Sequence, residues 1–356
     1  MTQTPKVTII IPVYNVEQYL RQCLDSVVNQ TMREIQIICV NDGSTDGSSA
    51  ILEEYVARDP RMEVYHQENQ GGGSARNAAY PYIRGKYTYF VDPDDWLELD
   101  LCQQCWDKAE VTEADFIMVR HMYNADPTSS TSFDSALPEI RQSPEERHEL
   151  LMLTATWQRF WLSDFLLSNN IRFSEGKRPS NDTLVSWKGT VLADRIAVLN
   201  HPLYHYRIRS GSYQTIVDER HSIIIEVFME IKKMLCETGK YDSYKNSFRE
   251  GKFMNYHYHY RRLSAPLRPK FLELVRQSQD ADDREFYRTA PKEFLPPIAK
   301  AFYALVDGGT MAIVNYRVAL FFHDATTLIT KIAKMPKHLL FQKIINRIKK
   351  RLKDIV

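Results

Sequence analysis

Ile35-Gln36-Ile37-Ile38-Cys39-Val40-Asn41-Asp42-Gly43-Ser44-Thr45-Asp46-Gly47 is the stretch that decides the fold. Its first part is an apolar run of strand length, the pattern of a strand covered on both faces. It ends in a turn rich in Asn, Asp, Gly and Ser, residues that supply turn geometry and side-chain acceptors. On its N-terminal side, Val7 to Val13 reads as a first strand. It is followed by a helix in which Tyr19, Leu20, Cys23, Leu24, Val27 and Val28 recur at helical spacing, with Asn15 placed as its N-cap. On its C-terminal side come a helix from Ser48 to Arg58, a strand from Met62 to His66, a break at Gly71-Gly72-Gly73, a helix from Ser74 to Ile83 and a strand from Tyr87 to Val91. Strands alternating with helices predict an α/β fold, Rossmann-like, with a mostly parallel central sheet and helices on both faces.

Further along, Asp115 to Arg120 reads as a fifth strand and Asn124 to Pro144 as an exposed loop or insertion. Helical patterns resume near Glu145. Asn181 to Ala193 reads as a helix, Ile196 to Leu199 as a strand, and Tyr204 to Arg209 as an extended segment leaving the domain. Strand patterns vanish beyond Ser212, which places a boundary near residue 215 between an α/β domain, 1–215, and an all-helical C-terminal domain, 216–356.

With 46 Lys and Arg against 45 Asp and Glu over 356 residues, the net charge gives no reason to expect nucleic acid as partner. The polar start, Met1 to Lys6, and the short run after it suit neither a signal peptide nor a membrane span, so a cytoplasmic protein is expected. The five cysteines read as reduced thiols. Cys102 and Cys105 have C-x-x-C spacing, but on a helix and with no second pair to complete a zinc site.

In an open parallel sheet, ligands bind beyond the carboxyl ends of the strands. Three polar clusters collect there: Pro12 to Asn15, Asn41 to Asp46, and Asp92-Pro93-Asp94-Asp95. The acidic string suits Mg²⁺ or Mn²⁺, hard cations held by one or two carboxylates plus substrate phosphates; as a Pro-Asp string it also suits an ordinary turn. Asp42 is placed either to accept from a base or ribose or to cap a helix, a task that Ser44 and Asp46 perform more naturally. The glycine triplet has neither G-x-G-x-x-G spacing nor the P-loop lysine. Arg76 just after it is either a phosphate or base contact or a surface arginine.

Taken together, these segments resemble the GT-A type glycosyltransferases of family 2 over about the first 210 residues. The opening strand is similar to the family's first strand, and Asn41-Asp42-Gly43-Ser44-Thr45-Asp46 to its D-D-G-S-T-D turn. Gln67-Glu68-Asn69 through Ala75-Arg76-Asn77 is similar to its Q-x-N-x-G-x-x-x-A-R-N segment, and Asp92 to Trp96 to its D-x-D-D-W motif. The resemblance implies a GT-A fold and an inverting transfer from a nucleotide-sugar, UDP-sugar above all, to a glycan or lipid-linked glycan hydroxyl, as in capsule or lipopolysaccharide assembly. It implies that Pro12, Tyr14, Asn15, Asp42, Asn69, Arg76, Asp92 and Pro93 surround the nucleotide. Asp94, with Asp92, would hold Mn²⁺ or Mg²⁺, with His205 of Pro202-Leu203-Tyr204-His205-Tyr206-Arg207 as a further ligand. Phe173-Ser174-Glu175-Gly176 followed by Asn181-Asp182 resembles the family's F-x-E-G and E-D pair, which makes Asp182 the base and leaves Asn181 as a departure.

Near the C-terminus, Phe341, Ile344, Ile345, Ile348, Leu352 and Ile355 share one helical face beside a basic one. Such a helix either lies on an anionic bilayer or docks on the domain. A homo-oligomer through the C-terminal helices is left open. In Tyr256-His257-Tyr258-His259-Tyr260 the two histidines point apart on a helix, which argues against a metal pair. Two other readings stand beside the enzyme: a sugar nucleotidyltransferase, whose glycine-rich loop with Arg and Lys is missing here, and a glycan-binding scaffold that kept the fold and lost the chemistry.

Overall fold

The computed structural model describes residues 4–125, 129–131, 140–141, 143–176, 181–208, 218–289 and 297–308, with short pieces at 312, 315–317, 319–320 and 323–324. The amphipathic segment from Phe341 to Ile355 and position 215 lie outside the described residues.

The N-terminal half alternates as the sequence demands: β1 (Val7–Val13), α1 (Glu17–Val28), β2 (Ile35–Asp42), α2 (Ser48–Val56), β3 (Met62–Gln67), α3 (Gly72–Ala78) and β4 (Tyr87–Phe90). Then come β5 (Trp96–Leu97), α4 (Leu101–Thr112), β6 (Phe116–Ala125), β7 (Ser129–Thr131), β8 (Ile140–Arg141), α5 (Pro144–Met152), β9 (Arg159–Leu162), α6 (Ser163–Ser168), α7 (Asn181–Leu192) and β10 (Ile196–Ile208). The ten strands make one mixed, mostly parallel sheet in the order β3-β2-β1-β4-β9-β6-β10-β5, with β7 added on β6 and β8 on β10.

Period-two alternation of strand side chains divides the core between the two faces of this sheet. Ile9, Ile11 and Val13 of β1 pack with Leu20, Leu24 and Val27 of α1 and with Cys102 and Cys105 of α4. Ile10 of the same strand faces the other way, with Ala75 of α3, Leu150 of α5 and Val185 of α7. The C-x-x-C pair is therefore core; both thiols are free and buried. Gln36 interrupts the apolar run of β2 without penalty, because it accepts from Thr8 at 2.8 Å and donates to the Tyr82 carbonyl at 2.9 Å.

Several local expectations are corrected. Helix α3 starts at Gly72, inside the glycine triplet, with Gly71 at φ +94° as its cap. The stretch from Asn124 to Pro144 is not all loop: β6 runs on to Ala125, β7 pairs with it, and β8 pairs with β10. The strand at Ile196 and the extended segment to Ile208 are one strand with register shifts near Pro202. A strand in the stretch read as helical, β9, sits antiparallel between β4 and β6. Nor is Asn15 the cap of α1. It takes a left-handed φ of +50° and turns its side chain to Thr45, whose amide it accepts at 2.7 Å. Asp46 does the capping instead, accepting from Glu17 N at 3.1 Å and from Ser48 N at 3.0 Å, so one carboxylate serves the starts of α1 and α2.

Helices follow the sheet: α8 (Ile223–Glu237), α9 (Tyr241–Arg262), α10 (Arg268–Gln277), α11 (Ala281–Thr289) and α12 (Pro297–Asp307). The chain forms two compact units, Met1–Gly251 and Lys252–Val356. Strands end where composition changes, yet the first unit takes in α8 and the start of α9. Trp187 of α7 meets Phe228 and Phe248 edge-on at 6.1 and 6.2 Å, and buried Arg147 donates to the Tyr244 hydroxyl. In the second unit Lys252 and Asp283 form a buried ion pair at 2.6 Å. His257 is buried there beside Phe253, Phe302 and Tyr316, while His259 lies against Tyr258. Among the described residues no helix is long and apolar enough to cross a membrane.

Candidate active site

The carboxyl ends of β1, β2 and β4 lie side by side because these strands are parallel neighbours in register. Asp42 ends β2, buried, and accepts from Gln67 Nε2 at 2.7 Å, Gln70 N at 2.8 Å and Gly71 N at 2.8 Å. A carboxylate has about four acceptor positions. Asp42 therefore ties the loop between β3 and α3 to the end of β2 and keeps little acceptor capacity beyond that. The loop can approach so closely because Gly43, at φ +70°, has no Cβ; one added there would stand 2.8 Å from Asn69 N.

Arg76, held on α3, reaches back over the Phe173 ring and pairs with Asp92, which follows β4. Burial works against the guanidinium charge, but the carboxylates of Asp92 and then Asp182 outweigh it and hold Arg76 protonated beyond its ordinary range. Asp92 itself is pushed up to about 6, first by burial and then by Asp182 and Asp94, against the pull of Arg76. So the three carboxylates share one field with Arg76. Asp95 belongs to a different environment. It is buried, accepts from Tyr204 Oη at 2.6 Å and from Arg207 N at 2.7 Å, and burial followed by Asp92 and Asp94 pushes its carboxyl well up. Tyr204 Oη in turn accepts from the Asp92 amide at 3.2 Å, and Arg207 donates to the Asp94 carbonyl at 2.8 Å, so β10 braces the whole acidic turn.

Asp182 reaches this cluster from the first turn of α7. The segment before that helix is anchored on α3: Asn77 and Phe173 exchange two hydrogen bonds, at 2.9 and 3.0 Å, and Gly176 N donates to Ser74 Oγ at 3.0 Å. One oxygen of Asp182 accepts from Thr156 N at 3.4 Å.

Against known proteins, a model of Glycosyl transferase family 2 matches residues 8–163. EpsH of Bacillus subtilis (strain 168) is 35% identical over 218 residues, 59% of this chain, and that match spans 63% of EpsH, less than two thirds of its length. Glycosyltransferase GlyG of Streptococcus pneumoniae serotype 4 is 30% identical over 218 residues, covering 58% of this chain and 72% of GlyG. The chain belongs to glycosyl transferase family 2. Its fold is that of S. aureus TarS 1–349, solved in complex with UDP-GlcNAc: the TM-score is 0.69 at 20% identity, over 90% of this chain and 92% of that one.

Within this family 2 chain, the residues expected around a nucleotide fall into two sets. Asp42, Arg76, Asp92 and Asp94 gather at the strand ends, joined by Asp182. Tyr14 stands nearly half exposed at the end of β1, between buried Pro12 and Val13 and the Asn15 turn. Asn69 and Pro93 are partly buried within the two loops just described. His205, expected as a metal ligand, stacks its ring on Trp96 at 4.8 Å, next to the acidic turn, and its Nε2 meets Glu98 at 2.7 Å. Among the described residues no group of three or more His, Cys, Asp and Glu is arranged to hold a metal ion. Sequence reasoning missed Tyr204, Gln67 and Thr156. The first two lie in quoted motifs and their polar ends were the available signal. Thr156 contributes only a backbone amide, which no side-chain pattern announces.

Proposed function

We propose that this chain is an inverting glycosyltransferase that moves a sugar from a nucleotide-sugar, a UDP-sugar foremost, to a hydroxyl of a glycan or lipid-linked glycan. The observation that carries the reading is the convergence of Asp182 on the Arg76–Asp92 pair at the strand ends, from a helix far along the chain. That the structure of TarS holds UDP-GlcNAc supports the choice of donor.

In this reading Asp182 accepts the proton of the acceptor hydroxyl while that oxygen forms a bond to the anomeric carbon. The bond from that carbon to the diphosphate breaks with its electron pair on oxygen, and a single displacement inverts the centre. Asp42 and the loop it holds form the nucleoside side of the site, and Arg76 stands as a cationic donor near the departing diphosphate. Mn²⁺ or Mg²⁺ would be held at Asp94 with Asp92: such ions need only one or two carboxylates besides phosphate oxygens, and these two stand in one turn at the end of β4. When bound, the ion would supply charge neutralisation to the diphosphate. A cytoplasmic enzyme peripheral at the membrane is the corresponding location.

Thermal-shift measurements with a panel of nucleotide sugars, with and without Mn²⁺, test the donor site; a metal-dependent rise with one UDP-sugar is expected. Asp182→Asn should keep that rise and lose about 10²- to 10⁴-fold in transfer rate. Near-normal transfer by that variant sinks the base, and no shift with any nucleotide favours a scaffold that lost the chemistry.

A further inference from the structure

Arg159 is fully buried, at the start of β9, and among the described residues no ion pair accompanies it. A charge in such a place is costly unless other groups take its donors. Here backbone carbonyls take those of the two terminal nitrogens, while Nε is left without a hydrogen bond among the described residues. Nη2 donates to Leu150 O at 3.0 Å and Leu153 O at 2.7 Å, and Nη1 to Ala155 O at 3.0 Å. Leu150 lies in the last turn of α5, where carbonyls lack helical partners and the helix dipole is negative, so a guanidinium is suited to end the helix. The same side chain then fixes the path of the chain out of α5 as far as Ala155.

The segment it fixes is the one that touches Asp182. Thr154 O accepts from Ser186 Oγ at 2.6 Å, and the next amide but one, Thr156 N, donates to Asp182 Oδ2 at 3.4 Å. Asp182 and Ser186 are four residues apart on α7, on one face of the helix. Thus α7 grips residues 154–156 from one side, and Arg159 holds the carbonyls at 150, 153 and 155 from the other. Burial pushes the Arg159 guanidinium down to about 9, and Asp182 is the carboxylate that counters this. The carboxylate that favours the buried charge is thus the same side chain whose backbone donor it positions.

We infer that Arg159 is a positioning residue for Asp182: by pinning the Leu150–Ala155 carbonyls it sets where Thr156 N stands, and so the orientation of the carboxylate toward the acceptor hydroxyl. The inference rests on Asp182 being the base. A purely structural helix cap would instead affect folding and every kinetic constant together.

The test uses the full chain and measures release of UDP from UDP-GlcNAc, or from whichever UDP-sugar gives the metal-dependent thermal shift. Arg159→Met is expected to lower kcat about tenfold or more while the KM for donor stays within about twofold, because the donor-side residues are untouched. Arg159→Lys, which keeps the charge and part of the carbonyl bonding, should recover part of kcat. If Arg159→Met does not fold, Ser186→Ala loosens the same segment without burying a change in charge, and a selective fall in kcat is again expected. The pair Arg159→Met and Asp182→Asn in one chain should be no slower than Asp182→Asn alone, since a residue acting through Asp182 has nothing left to act on. Multiplying losses in that double variant, or kcat unchanged in Arg159→Met and Ser186→Ala, overturns the inference while leaving the base intact. Near-normal turnover by Asp182→Asn removes the base, and the inference with it.

Discussion

Two ion pairs, one in each compact unit, show how the same chemistry serves different ends. Lys252 and Asp283 are sealed, with side chains 3% and 0% exposed, one cation facing one anion at 2.6 Å. Arg76 and Asp92 keep 11% and 25% of their side chains exposed, and they share their field with Asp94 and Asp182. The first pair is shut off from solvent, so it has nothing to offer a ligand. The second is a partly exposed cluster in which three carboxylates gather about Arg76, held in place by Tyr204, Arg207 and the α3 anchor. A buried pair alone is weak grounds for a site; a partly exposed one that gathers further carboxylates at the ends of parallel strands is strong grounds.

The contrast can be broken most directly by truncation. Lys252→Met strands Asp283 in the interior and should cost about 3–5 kcal/mol, read from denaturant midpoints; Arg76→Met leaves Asp92 within reach of water and should cost clearly less. Arg76→Met should instead abolish the stabilisation by UDP-sugar that Lys252→Met, where folded, retains. Equal losses of stability would erase the distinction between the two pairs.

Acid sharpens it next. In the second unit burial holds His257 down to about 4, with Arg261 and His323 adding to that and Asp324 opposing it. A histidine whose folded value lies below its unfolded value of about 6.5 gives stability that is full above that value and lost as pH falls toward 4. His257→Phe, which keeps an aromatic ring among Phe253, Phe302 and Tyr316, should flatten the fall in melting temperature between about pH 6.5 and 4. An unchanged slope would show that His257 does not carry the acid sensitivity.

The smallest effect is expected at the rim of the site. Asn15→Ala removes the bonds to Thr45 and places a Cβ residue without a polar tip at φ +50°, a cost of about 1–2 kcal/mol. Asn15→Gly should cost less, because glycine takes that φ freely, and the difference between the two variants separates backbone strain from lost hydrogen bonds.

Much of this was legible in the order of residues. Apolar runs of strand length and helical periodicity are local signals, and they placed β1 to β4, α1, α2 and α7 to within a few residues. The acidic turn and the Asp42 turn were readable because a parallel sheet delivers the ends of its strands to one edge. Where pattern failed, the competing cause was tertiary. Strand β9 is four residues long and buried, a run that periodicity cannot distinguish from helix, and only pairing with β4 and β6 makes it a strand. The cap of α1 was assigned to the wrong residue because Asp46, expected to cap only the helix that follows it, also reaches one distant in sequence.

What the sequence determined by itself is the set of parts: a Rossmann-like alternation, an acidic string after a buried strand, and motifs that mark family 2. What tertiary structure alone decided is which parts meet. It set His205 against Glu98 and Trp96, turned Asp95 inward to Tyr204, and brought Asp182 to Arg76 and Asp92. The reason is physical: side-chain chemistry is written locally, but burial, opposing charge and shared hydrogen bonds depend on neighbours that only the closed sheet and its covering helices supply.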